Sequence, residues 1–154
     1  MILKIKQEYF SLRGRYEILD ENDGIAYIIQ GKFSMPKRFE IIDEQGNAVG
    51  EMRSKFFDIM PTFILYIDGE EIGRVKKQIT FFKRTFDVDC KGWSVEGDIL
   101  GWDYVIVDEK GNKIATLSKK ILSLVDYYVM DIVNPEDALA VIMIALSIDV
   151  EKQE

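Results

Sequence analysis

Residues 134–148 read NPEDALAVIMIALSI. The first four carry the signals of a helix start. Asn134 is a capping residue type and Pro135 suits the first helical position. Glu136 and Asp137 place negative charge at the positive end of the helix dipole. From Ala138 to Ile148 every residue but Ser147 is apolar, so apolar side chains cover all sides of the helix. A helix without a polar face must be buried all round. Nothing upstream reads as a second long helix, so strands must supply the wrapping. Val141, Ile142, Ile144 and Ile148 are β-branched and would also suit a buried strand, but length and the start signal decide for a helix over about residues 135–149. The apolar run is about 16 Å long as a helix, short of the roughly 20 residues of a membrane span.

The chain before this helix repeats. The segments YEILDENDGIAYIIQGK from Tyr16, FEIIDEQGNAVGEMRSK from Phe39, LYIDGEEIGRVKK from Leu65 and YVIVDEKGNKIATLSKK from Tyr104 share one plan. Each has an apolar strand, an acidic turn with glycine, a second strand and then basic residues. A divergent copy, FDVDCKGWSVEGDIL, starts at Phe86. Asp-Gly, Gly-Asn and Lys-Gly pairs supply the positive-φ positions of tight hairpins. Turn signals about every 8–12 residues between alternating strands point to an all-β sandwich or barrel. The early copies recur at roughly 23–27 residues, too short for propeller blades of about 40. A closed barrel leaves no sheet edges and gives the helix an apolar lining. The expected fold is mainly β, a closed antiparallel barrel of about 12 strands over residues 2–133 around a central hydrophobic C-terminal helix, all one domain over 1–154. Phe39, Ile41, Leu65, Ile67, Tyr104 and Ile106 are expected at equivalent positions.

Composition bounds the chemistry. The chain has 154 residues, 47% hydrophobic and 31% charged, with a net charge of −7. That composition is of a folded domain, and the negative charge disfavours nucleic acid. One cysteine, Cys90, allows no intrachain disulfide and fits a reducing cytoplasm. The opening MILKIKQEYF has no secretory signal pattern. There is no histidine, which removes the usual general base, any Ser-His-Asp arrangement and the usual zinc sites. Glycines stand singly in turns, without a phosphate-cradling loop. DENDG at 20–24 fails the EF-hand pattern, because position 5 would be Gly24 and position 12 Gly31. It reads as an acidic hairpin turn. Glu96 and Asp98 share a strand face, a weak pattern for paired-carboxylate catalysis. No cofactor, metal or catalytic residue is assigned.

WSVEGDILGWDY at 93–104, IATLSKK at 114–120 and NPEDALAVIMIALSID at 134–149, with the serial aromatic hairpins, resemble prokaryotic LURP-one-related proteins. These belong to the tubby C-terminal-domain-like superfamily, which also takes in the phospholipid scramblases. The resemblance covers essentially the whole chain. It implies a 12-stranded barrel around a central C-terminal helix, in agreement with the reading above. Tubby domains bind phosphoinositides, and scramblases associate with membranes and calcium. The resemblance carries no binding residue onto this sequence.

Charge supplies the remaining functional signal. Acids crowd the hairpin turns, and bases follow several residues later along the second strands. Side-by-side hairpins would make one barrel end acidic and the other basic. The stretch RVKKQITFFKR, residues 74–84, holds five bases and no acid. Arg74, Lys76, Lys77, Lys83, Arg84, Lys119 and Lys120 are the candidate anion- or lipid-binding residues. The competing explanation is that outward strand positions are charged for solubility and edge protection. Phe81, Phe82 and Phe86, beside Lys83 and Arg84, and Phe56 with Phe57, read as core on strand alternation. The expectation is a non-enzymatic cytoplasmic binding module, peripheral at the membrane, with an anionic lipid headgroup or phosphorylated ligand as partner. A protein–protein interaction or structural domain is the alternative, and a carboxylate-dependent enzyme the third reading.

Overall fold

The computed structural model describes residues 1–6, 14–32, 36–55, 59–79, 84–122 and 125–152. Twelve strands precede one helix. They are β1 Ile2–Lys6, β2 Arg15–Leu19, β3 Ile25–Lys32, β4 Arg38–Ile42, β5 Ala48–Ser54 and β6 Thr62–Ile67. They continue with β7 Glu70–Ile79, β8 Arg84–Cys90, β9 Ser94–Asp98, β10 Asp103–Val107, β11 Lys113–Leu122 and β12 Val125–Ile132. A 3-10 turn, Pro135–Asp137, leads into α1, Ala138–Lys152.

All twelve strands form one antiparallel sheet in the order β8-β7-β6-β5-β4-β3-β2-β1-β12-β11-β10-β9. Pairing of β1 with β12, from Ile2 opposite Asp131 to Lys6 opposite Tyr127, joins the two ends of the chain. The barrel is nearly closed. Its open seam lies between β8 and β9, which no ladder joins. These strands come from the divergent repeat, whose turn sets Lys91 and Gly92 both at positive φ.

The regular repeats form the hairpins β2–β3, β4–β5, β6–β7 and β10–β11. Each carries a register shift just before its turn, at Ile18/Leu19, Ile41/Ile42, Leu65/Tyr66 and Ile106/Val107. By that feature Leu65 answers to Ile41 rather than to Phe39, a displacement of two residues from the sequence alignment. The reason is the shorter turn of the third hairpin, where Asp68 at φ 50° and Gly69 at φ 80° make a two-residue connection. Ile41, Leu65, Tyr104 and Ile106 are all buried in the core that holds the helix, while Phe39 and Ile67 are partly buried beside it. Phe86 is buried, whereas Phe56, Phe57, Phe81 and Phe82 lie outside the described residues.

The helix fills the barrel axis. Ala138, every residue from Ala140 to Leu146, Ile148 and Val150 are buried, and Leu139 is partly so. Buried Ser147 satisfies its hydroxyl by donating to the Met143 carbonyl at 2.6 Å. At the helix start, Asn134 is extended and makes no side-chain capping bond. Its carbonyl instead accepts the Asp137 N–H at 2.9 Å.

Candidate functional site

Antiparallel topology sorts the connections between two barrel ends. The turns at 20–24, 43–47, 68–69, 91–93 and 108–112 and the start of α1 lie at one end. This end carries Asp20, Glu21, Asp23, Asp43, Glu44, Asp68, Asp108, Glu109, Glu136 and Asp137, against Lys91, Lys110, Lys113, the Met1 ammonium and Lys4, which pairs with Asp23. The turn aspartates have a local structural role. Asp20 Oδ1 accepts the N–H groups of Asn22 and Gly24, Asp43 Oδ1 those of Gln45 and Asn47, and Asp108 Oδ1 those of Lys110 and Asn112, all at 2.8–3.0 Å. The bonds from Asn112 and Lys110 hold the Asp108 carboxyl below its usual range. DENDG is thus a carboxylate-braced hairpin turn.

The opposite end collects Arg15, Lys32, Lys37, Arg38, Arg53, Lys55, Lys76, Lys119 and Lys120, with exposed Asp98 and Asp103 beside the β9–β10 turn. Several of these bases have acidic neighbours on the barrel wall. Arg38 and Arg53 both donate to Glu51, at 2.7 and 2.8 Å through their Nε atoms. Hydrogen bonds from Arg53 and Arg38 hold the Glu51 carboxyl below its ordinary value. Lys32 pairs with Glu40, and Arg15 with Glu17.

The candidates from the sequence separate into four groups. Arg74 and Lys76 point outward from β7 and are exposed. Arg74 contacts Glu71 at 2.9 Å, and Lys76 sits opposite Asp87 on β8. Lys77 does not join them. Strand alternation puts it on the inward face with Val75, where it is only 5% exposed. It therefore leaves the set of surface residues. Lys119 and Lys120 are exposed on β11, and the Lys119 Nζ lies 5.9 Å from the centre of the Tyr128 ring. Lys83 lies outside the described residues, as does the side chain of Arg84. From β7 to β11 is three paired-strand spacings, about 14 Å, plus the unpaired gap of the seam between β8 and β9. The lysines share one end without forming one contiguous patch.

Two features at the site were not read from the sequence. The first is a cavity of about 660 Å³ at the acidic end. Met1 with Ile2 and Leu3 of the first strand, the β2–β3 and β4–β5 hairpins and Leu139 of α1 converge on it. The second is a buried aromatic cluster towards the basic end. Trp102 stacks on Tyr128 at 4.1 Å between ring centres, and Tyr104 lies 6.1 Å from Trp102. Trp102 Nε1 and the Tyr104 hydroxyl are buried without hydrogen-bond partners among the described residues. Burial, and secondarily the charge of buried Asp149, push the Tyr104 phenol well above the usual tyrosine range. Cys90 is buried, and its thiol is pushed up to about 11, chiefly by that burial.

Among the described residues, no group of three or more Cys, Asp or Glu side chains is arranged to hold a metal ion. No helix there is long and apolar enough to cross a membrane. Glu96 and Asp98 are exposed on β9, and Asp98 accepts the Gly101 N–H at 3.0 Å.

The family model of LURP-one-related proteins matches residues 1–149, which take in every strand and most of α1. This chain belongs to the LURP-one-related family. The uncharacterized protein YxjI of Bacillus subtilis (strain 168) is similar to it, at 27% identity over 148 residues, covering 96% of this chain and 91% of that protein. The LURP-one-related match therefore spans both charged ends and the helix between them.

Proposed function

We propose that the barrel is a non-enzymatic cytoplasmic binding module that presents its basic end to anionic phospholipid headgroups. The observation that carries this reading is the segregation of charge, with acidic turns at one end and exposed Lys76, Lys119 and Lys120 towards the other. The net charge of −7 repels an anionic surface at long range. Attraction must then come from short-range contact by correctly oriented lysines, each worth about 1 kcal/mol near an anionic surface. Three such contacts give binding that is weak, oriented and sensitive to salt. Phosphate oxygens accept hydrogen bonds from the ammonium groups, so any phosphorylated surface ligand shares this chemistry.

A filled barrel axis and a deeply buried thiol favour binding over catalysis as the role of this fold. The test is co-sedimentation with phosphatidylcholine vesicles of graded phosphatidylserine content, at low and physiological salt. Binding should rise with phosphatidylserine and fall with salt. Lys119→Glu with Lys120→Glu should weaken it by about 2 kcal/mol, or roughly thirty-fold. Absence of binding at low salt, or equal binding by the variant, would remove the lipid reading. Salt-insensitive capture of a protein partner would then replace it.

A further inference from the structure

We infer that the cavity at the acidic end is a binding site for a linear aliphatic diamine or polyamine. The turn aspartates do not by themselves mark a site, since Asp108 makes the same bonds as Asp20 and Asp43. What distinguishes this place is the combination of concavity, an apolar floor and acids free of those turn bonds. The volume of about 660 Å³ lies within the range of small-molecule sites, about 300–1,000 Å³. Its floor is formed by Leu3, Val49, Ala26 and Leu139, and Met1 and Ile2 stand at its mouth, 45% and 37% exposed. This apolar surface would gain by being covered with methylene groups.

The walls set the charge pattern. Asp20 and Glu21 stand on one side, and Asp43 and Glu44 on the other. Glu21 and Glu44 are exposed and make no hydrogen bond or ion pair among the described residues. The Met1 ammonium also lines the cavity, donating to the Ile132 carbonyl at 2.9 Å, and its positive charge offsets one of the four carboxylates. Tyr27 lines the cavity, and its phenol is raised by burial and by the charges of Asp43 and Glu44. Four carboxylates against one ammonium leave the field in the cavity negative.

Spacing selects the ligand. The β2–β3 and β4–β5 hairpins are neighbours in the sheet, so their turns stand two strand positions apart, about 10 Å. Two ammonium groups joined by about six methylenes span that distance, with the chain lying on the apolar floor. A monoamine satisfies one wall only. A metal dication carries the charge without the methylenes.

The experiment uses the intact chain, with calorimetry and backbone amide shift mapping, and hexamethylenediamine, spermidine, hexylamine and magnesium ion as probes. The diamine should bind about ten-fold more tightly than hexylamine, with the largest shifts at Ile2, Tyr27, Val49 and Leu139. Glu21→Gln with Glu44→Gln should erase that advantage. Glu109→Gln, the matching position of the β10–β11 turn, should leave it intact. The inference is overturned if diamine and monoamine bind equally, or if neither binds. Magnesium matching the diamine, or Glu109→Gln costing as much as the double variant, would also overturn it.

Discussion

The packing around α1 can be tested by replacing four consecutive residues, Val141, Ile142, Met143 and Ile144, one at a time with alanine. Successive helical positions are about 100° apart, so the four sample the whole circumference. All four side chains are fully buried, at 0% exposure. Deleting buried Ile or Met side chains to alanine costs about 2–5 kcal/mol, the transfer loss adding to the cavity left behind. For Val141 the loss is two methyl groups, about 1.6 kcal/mol before any cavity contribution. Alanine's own helix propensity returns only a few tenths of that. Urea unfolding is the assay. With a slope of about 1–3 kcal/mol per molar, a 3 kcal/mol loss moves the midpoint by about 1 M or more at unchanged slope. A helix lying on the outside of a sheet would have at least one neutral position among the four. If any of the four variants unfolds within about 0.5 kcal/mol of the parent, the all-round burial argued here is wrong.

A Cβ at Gly73 would lie 2.4 Å from the Asp89 carbonyl oxygen and 2.6 Å from the Cys90 Cα. Gly73→Ala should therefore wedge β7 from β8 and cost about 3 kcal/mol or more in thermal or urea unfolding. Gly46→Ala meets nothing within 4 Å but sits at φ +85°, so it should cost only about 1–2 kcal/mol; equal costs would refute the close-approach argument. Burial raises the Cys90 thiol from 9.0 to about 11, and it also raises Tyr16 and Tyr104. The folded protein holds these protons more tightly than the unfolded chain, so their stabilisation is complete below pH 9 and fades as pH climbs towards about 11. Unfolding free energy that stays level across that range would contradict this. Glu51→Gln should lose about 1 kcal/mol at neutral pH by leaving Arg38 and Arg53 without their shared carboxylate. Because the Glu51 pKa is lowered, the gap between variant and parent should close as pH falls below the ordinary glutamate value of 4.5; a gap that persists in acid would point to packing instead.

The helix was legible because its composition leaves no polar side, a property independent of its neighbours. The regular hairpins were legible because Asp-Gly and Gly-Asn pairs specify turns locally. Other features depend on strand phase, or on distant segments meeting. In RVKK of β7, both phases of the alternation contain lysine, so the pattern could not say that Lys76 faces solvent and Lys77 the interior. CKGW of the divergent copy looks like another hairpin turn, yet β8 and β9 do not pair there. The cavity needs residues 1–3, two separate hairpins and Leu139 together, and no local pattern announces that meeting. Asn134 shows the limit of a residue-type rule, since its backbone carbonyl rather than its side chain bonds at the helix start.

The most direct test of the two-ended account compares charge changes at the two ends on the same vesicles. Lys119→Glu with Lys120→Glu alters the basic end, and Glu21→Gln with Glu44→Gln the acidic end, each measured by co-sedimentation with phosphatidylserine vesicles at low salt. The first pair should weaken binding roughly thirty-fold, while the second leaves it unchanged or slightly stronger. Equal loss from both pairs, or unimpaired binding by the lysine variant, would contradict the two-ended account.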